Sequence, residues 1–125
     1  MGSFKIGTTE FGVGKVVLSA ENNLLNLEIS GSDEMFDQLT EADDSEWGWA
    51  LYAPKIYFED VPFKGNTLTI DNETLNQCNI ALYMMEHNDF TGTIELTEDV
   101  IHIQGEVYLM DRILSVFIEI NRHEI

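Results

Sequence analysis

Three histidines and one cysteine are the residues of this 125-residue chain best suited to acid–base, nucleophilic or metal chemistry. His87, His102 and His123 form no HExxH or HxH motif, and Cys78 has no second cysteine with which to form a disulfide or a CxxC site. His102 stands between two isoleucines, so on a strand it points away from them as an ordinary surface residue. Cys78 is expected to be a buried or semi-buried structural thiol rather than a nucleophile. The sequence predicts no catalytic residue, metal site or cofactor.

Glycine pairs and carboxylate pairs offer two further kinds of chemistry. Gly12-Val13-Gly14 lacks the third glycine and the following helix of a dinucleotide-binding loop, and no P-loop or GxSxG elbow occurs. Acid pairs such as Glu59-Asp60 could serve a hydrolase, which needs two carboxylates across a cleft, one with a raised pKa. Because the chain holds 23 Asp and Glu, such pairs arise by chance. A hydrolase with scattered carboxylates stays open as an alternative.

The net charge of −17, from six Lys and Arg against 23 acids, limits the classes of partner. It predicts repulsion from nucleic acid and from anionic membranes, and attraction to basic proteins. The alternative is that the acidity serves solubility or a saline environment. The N-terminal residues lack the apolar core of a signal peptide, and a lone cysteine suits a reducing compartment. We therefore expect a cytoplasmic protein without direct nucleic-acid or membrane contacts.

The acids are concentrated in residues 33–46, and no Lys or Arg occurs between Lys15 and Lys55. Such a block repels itself unless a cation or a basic partner neutralises it. Two tryptophans follow it, and aromatic side chains rimmed by charge are typical of binding hot spots. A solvated acidic loop, with one tryptophan in the core, is the alternative. The predicted partner-binding residues are Asp33, Glu34, Asp37, Glu41, Asp43, Asp44, Glu46, Trp47 and Trp49.

Strands are the elements that must position most of these residues. Leu25, Leu27 and Ile29 alternate with polar residues after a turn-rich Glu21-Asn22-Asn23, which predicts a hairpin. Further on, two more hairpins are predicted from four apolar segments. They pair 93–96 with 100–104 across a turn at 97–99, and 106–110 with 113–120 across a turn at 111–112.

Between the hairpins the pattern is less regular. Ser32 followed by two acids predicts a short helix or an acidic loop near residues 32–40. Residues 47–58 are strand-like but interrupted by Pro54. A short strand is predicted at 67–70, then a helical turn or a loop from Asp71 to Cys78, and a strand rather than a helix at 80–85.

Taken together, these elements predict one domain over residues 1–125. Its fold class is mainly β, with an antiparallel meander that forms a sandwich or a curved, barrel-like sheet.

In size, acidity and lack of catalytic motifs, the whole chain resembles the immunity proteins of bacterial toxin systems such as contact-dependent growth inhibition. The resemblance implies a cytosolic protein that neutralises a basic toxin, such as an RNase or DNase domain, by plugging its active site or covering an adjacent surface. It assigns no residue a role. A carbohydrate- or small-ligand-binding β-domain using Trp47, Trp49 and Tyr52 is the alternative kept beside the hydrolase.

Overall fold

The computed structural model describes residues 2–41, 50–109 and 111–125. This part of the chain is mainly β, with an antiparallel sheet curled into a half-barrel. The predicted fold class is thereby confirmed, including the short helix near residues 32–40. The strands are β1 Gly2–Ile6, β2 Thr9–Glu10, β3 Lys15–Glu21, β4 Leu24–Ser30, β5 Lys55–Pro62, β6 Thr67–Ile70, β7 Asn79–Tyr83, β8 His87–Leu96, β9 Val100–Leu109 and β10 Arg112–Asn121; the helices are α1 Asp33–Glu41 and α2 Asn72–Gln77, and a 3-10 turn spans Arg122–Glu124.

The sheet has the strand order β2-β1-β10-β9-β8-β7-β5-β4-β3, and β6 pairs with β8 off this path. The three C-terminal strands form the predicted meander, because β8, β9 and β10 follow one another as hairpins. β1 adds to the outer side of β10, and α1 fills the connection between β4 and β5. β2 and β3 therefore form the two ends of the sheet.

The β3–β4 hairpin forms as its sequence predicts. Asn22 and Asn23 have φ angles of 56° and 61°, and asparagine tolerates this left-handed region, so a two-residue turn joins the strands. Leu25, Leu27 and Ile29 are buried, while their neighbours in β4 are not. The period of two thus assigned both the strand and its buried face correctly.

Segments 100–104 and 106–110, assigned to different hairpins, belong to one strand, since β9 runs unbroken from Val100 to Leu109. Gly105 lies in its middle, where the strand passes so close to β8 that a Cβ would come within 2.1 Å of the Thr91 carbonyl oxygen. Gly92 on β8 faces it, with φ at 153° and a Cβ position 2.3 Å from the Gln104 carbonyl oxygen. Because neither glycine has a Cβ, β8 and β9 can approach closely here and stay paired.

This glycine pair lies where β8 changes partner. Residues 87–89 of β8 pair with β7, whereas residues 92–95 pair with β6. The close approach of β8 and β9 at Gly92 and Gly105 thus lies at the point along β8 where its pairing passes from β7 to β6.

One cluster of apolar side chains fills the inside of the curl. Phe4, Phe11, Phe58 and Phe90 are its largest fully buried members, and burial of each stabilises the fold by roughly 1.5–3 kcal/mol. No polar or charged residue of the described ranges is buried. Neither helix in those ranges has the length and apolar character needed to cross a bilayer.

Three segments refine the sequence predictions. In the strand-like stretch at 47–58, the described residues 50–54 are not strand, and β5 begins at Lys55, after the proline. Of the alternatives left open for 71–85, a helix is observed at α2 and a strand at β7. β1 and β2 were not predicted, because Phe4 and Ile6 supply only two inward positions before the glycine-rich turn.

Candidate functional site

Helix α1 carries the described part of the predicted acidic segment. The Ser32 hydroxyl accepts a hydrogen bond from the Met35 N–H (3.4 Å), and the Ser32 carbonyl oxygen accepts one from the Phe36 N–H (3.0 Å). Phe36 is buried in the core, and Leu39 packs against it. Because these apolar residues fix one side of the helix inward, Asp33, Glu34, Asp37 and Glu41 are all exposed.

Three of these acids, Asp33, Asp37 and Glu41, follow one another at i, i+4 spacing and form what we call the acidic edge. Like charges at this spacing destabilise a helix by roughly 0.2–0.5 kcal/mol per pair. No basic residue occupies the last turn of α1, and Glu41 adds negative charge at the negative end of the helix dipole. The i, i+4 repulsion and the charge of Glu41 are therefore unfavourable for the helix, whereas Asp33 lies in the first turn, where the dipole favours an acid.

No cation in the described residues relieves this arrangement by ion pairing. Lys55 lines the same cleft as Asp33 and Asp37, yet its Nζ pairs with the Glu28 carboxylate at 3.3 Å. The acidic edge thus faces solvent with its charges uncompensated by any direct ion pair in this part of the molecule.

An open cleft of about 790 Å³ separates α1 from residues 51–55 and the end of β7. Tyr52 and Tyr83 both line this cleft and stack on each other, with ring centroids 5.6 Å apart and planes inclined by 26°. Leu51 and Tyr52 remain 66% and 53% exposed, respectively, so the apolar side of the cleft is accessible. The cleft thus combines exposed apolar surface with two acids, Asp33 and Asp37, on its helical wall and two lysines, Lys15 and Lys55, on its strand wall.

The sheet extends this aromatic surface beyond the cleft. Lys55 of β5 lies opposite Tyr83 of β7, and Tyr83 lies opposite His87 of β8, so His87 is two strands away from β5. The His87 ring lies 4.8 Å from Tyr83 and meets Tyr57 edge-on at 5.8 Å between centroids. Four rings, those of Tyr52, Tyr83, His87 and Tyr57, therefore contact one another in a row.

The structure brings together only part of the predicted binding set. Asp33, Glu34, Asp37 and Glu41 lie on α1, with Asp33 and Asp37 lining the cleft beside Tyr52. Sequence reasoning missed Tyr83, Tyr57 and His87, because strand pairing brings them to Tyr52 and no local pattern encodes it. The remaining predicted residues, Asp43, Asp44, Glu46, Trp47 and Trp49, lie outside the described residues.

The other groups suited to chemistry have structural neighbours. His102 Nδ1 lies 3.3 Å from the Glu119 carboxylate on the outer face of the sheet, away from the core as predicted. His123 Nε2 contacts Asp99 at 2.8 Å, although the side chain is exposed. Cys78 is a free, partly buried thiol packed against the core, as predicted. No group of three or more His, Cys, Asp or Glu in the described ranges is arranged to hold a metal.

Two carboxyl groups among the described residues have shifted pKa values. Partial burial opposes ionisation of Glu10, but hydrogen bonds from the Ser3 hydroxyl and the Gly12 and Phe4 N–H groups outweigh it and lower its pKa. Hydrogen bonds from the Thr74 backbone and hydroxyl lower the pKa of Asp71, the N-cap of α2. Both shifts are opposite to the raised pKa that a general acid requires.

The described lining of the cleft also lacks carboxylates on opposite walls. Its acids, Asp33 and Asp37, are one helical turn apart on α1, and Lys15 and Lys55 belong to the strands. This geometry can attract and anchor a ligand through charge and ring contacts.

In the comparisons with known proteins, no family model, curated protein or solved structure matches the chain.

Proposed function

We propose that this chain is a stoichiometric inhibitor of the immunity-protein type, which binds and neutralises a basic toxin domain, with nucleases the class that the charge favours. The proposal rests on one observation: Asp33 and Asp37 of the acidic edge, without ion pairs to the described residues, line the cleft that also holds the Tyr52–Tyr83 stack, in which Tyr52 is exposed. Binding would occur in the cytoplasm of the cell that the inhibitor protects.

A basic protein partner would resolve the unfavourable charge of α1. Arg side chains can pair with carboxylates in a bidentate manner, and their planar groups also stack on tyrosine rings. A nuclease presents a cationic groove that normally holds phosphates, and the carboxylates of Asp33, Asp37 and Glu41 can occupy phosphate positions. The exposed Leu51 and Tyr52 would supply the apolar contact that anchors such an interface.

The test is affinity capture from the native cell with three matched baits. The acidic-edge variant combines Asp33→Asn, Asp37→Asn and Glu41→Gln. The control variant removes three exposed acids elsewhere, through Glu95→Gln, Glu98→Gln and Glu106→Gln. The wild-type and control baits should recover the same basic protein in one-to-one amount at low salt, and the acidic-edge bait should lose it.

The captured protein is then expressed alone and with the inhibitor. Alone it should arrest growth or degrade nucleic acid, and the wild-type chain should relieve that effect. Equal capture by all three baits, or a captured protein without toxicity, would refute the proposal.

A second candidate function rests on the stacked Tyr52 and Tyr83 in the cleft, which could hold a sugar ring or another small planar ligand. In that case ligand binding should depend on Tyr52 but change little with salt. Tyr52→Ala, with the equally accessible Tyr108→Ala as its control, separates the two functions when combined with the acidic-edge variant. A protein inhibitor should require both the acids and the ring.

A further inference from the structure

The two ends of the sheet differ in how their backbone groups are satisfied. At one end β2 has only two residues, and the β1 backbone beyond it is occupied by the chain itself. The Phe4 N–H donates to the Glu10 carboxylate at 2.8 Å, and the Phe4 carbonyl oxygen accepts from the Phe11 N–H at 2.8 Å. This edge is short and closed, which natural sheets use to prevent pairing with other chains.

The opposite end, β3, has no strand paired to its outer side among the described residues. It pairs with β4 along all seven residues, and that register contains no bulge. Its other side receives no hydrogen bond from the described residues, so the N–H and C=O groups of alternate residues face outward. β3 contains no proline, and Lys15 at its start is the one lysine on it. Val17 is 49% exposed. Such an edge accepts a further strand.

The order of charges along β3 indicates what that strand is. If a second copy pairs antiparallel about a twofold axis at Leu18, Lys15 lies opposite Glu21 of the other copy, and this pair occurs twice. Val16 then faces Ala20, Val17 faces Ser19 and Leu18 faces itself. Shifting the register by two residues in either direction separates Lys15 from Glu21. We propose that β3 is the dimerisation edge of this protein, at which two copies form a continuous sheet in this register.

The dimer proposal does not rely on the proposed inhibitor function. The two can be told apart by how each association depends on salt. Two bodies of net charge −17 repel each other over a Debye length of about 10 Å at 0.1 M salt and about 3 Å at 1 M. Salt should therefore strengthen the β3 dimer while weakening a complex with a basic toxin. Failure of one proposal leaves the other untouched.

The experiment is sedimentation velocity of the full chain over a concentration series at both salt levels. The wild type should pass from monomer to dimer, with a smaller dissociation constant at high salt. At the lower salt level, where these exposed pairs are least screened, Lys15→Glu and Glu21→Lys, made separately, should each raise that constant about tenfold or more, because each places like charges opposite each other twice. Glu21→Lys is the sharper case, since it makes the net charge less negative and would otherwise favour association.

Mixing the two single variants provides the positive control. In the mixed dimer, the acidic side chain introduced at position 15 of one copy faces the basic side chain introduced at position 21 of the other. The unchanged Glu21 of the first copy faces the unchanged Lys15 of the second, so pairing should return. The double variant Lys15→Glu/Glu21→Lys should also dimerise like the wild type.

Circular dichroism of each variant checks that the monomer is folded. A wild type that stays monomeric at every concentration and salt level, or a mixture that fails to recover dimer, would overturn the proposal.

Discussion

Removing the Glu10 carboxylate should destabilise the fold in a pH-dependent way. One of its oxygens accepts from the Ser3 hydroxyl, and the other accepts from the N–H groups of Phe4 (2.8 Å) and Gly12 (2.9 Å). Gly12 is buried, so without Glu10 its N–H loses a partner that water replaces poorly. The carboxylate thus joins β1 to the turn that follows β2.

The magnitude follows from these contacts. Hydrogen bonds to a charged group contribute roughly 1.5–3 kcal/mol when shielded, and the partial exposure of Glu10 reduces that. We expect Glu10→Ala, which removes all three bonds, to lower the free energy of unfolding by about 2 kcal/mol at neutral pH. Glu10→Gln keeps an acceptor oxygen but loses the charge, so it should cost about 1 kcal/mol.

The pH dependence has a defined sign. The pKa of Glu10 is lowered in the folded state from an ordinary value of 4.5, so its stabilisation is fully present above that value. The stabilisation is lost as the pH falls through the lower, folded-state pKa. The stability gap between wild type and Glu10→Gln should therefore be constant near neutrality and close in acid.

Urea unfolding followed by circular dichroism over a pH series measures this gap, with Glu106→Gln on the exposed face of β9 as the control. The control should show no comparable loss. A Glu10→Ala variant as stable as the wild type at neutral pH, or a gap that persists unchanged in acid, would refute the reasoning.

Two further predictions concern the scaffold. Gly105→Ala places a Cβ 2.1 Å from the Thr91 carbonyl oxygen and should lower the free energy of unfolding by more than about 2 kcal/mol. Its control, Gly65→Ala, has open space around the Cβ but a φ of 74°, and should cost about 1 kcal/mol. Urea unfolding midpoints measure both losses, and equal losses would contradict the steric argument. Asp71→Ala removes the N-cap of α2 and should speed amide hydrogen exchange at Thr74. In the wild type, protection of this amide should decrease as the pH falls through the lowered pKa of Asp71. Unchanged exchange at Thr74 in the variant would show that the Asp71 cap does not stabilise the helix.

Local features of this fold could be predicted from sequence because they depend on near neighbours. The alternation of Leu25, Leu27 and Ile29 identified a strand and its buried face, and Ser32 and Asp71 marked helix starts whose hydrogen bonds the structure contains. In each case the residue and its partner lie within a few positions of one another, so periodicity and capping chemistry are sufficient.

Features set by distant residues could not be predicted in this way. β1 became a strand through pairing with β10 at the other end of the chain, and β9 continued through Gly105 because β8 approaches it closely. The same holds for the candidate site. Tyr52 and the acids of α1 were identified from sequence, whereas Tyr83 and His87 reached them through the register of β5, β7 and β8.

The central claim is that the acidic edge recruits a basic protein partner. Its most direct test is the association rate of the captured partner with wild type, acidic-edge variant and control variant, measured by stopped flow over a salt series. The rate constants of the wild type and the control variant should fall steeply with salt, whereas the acidic-edge variant should associate more slowly and with a weaker dependence on salt. Identical rates and salt slopes for all three proteins would contradict it.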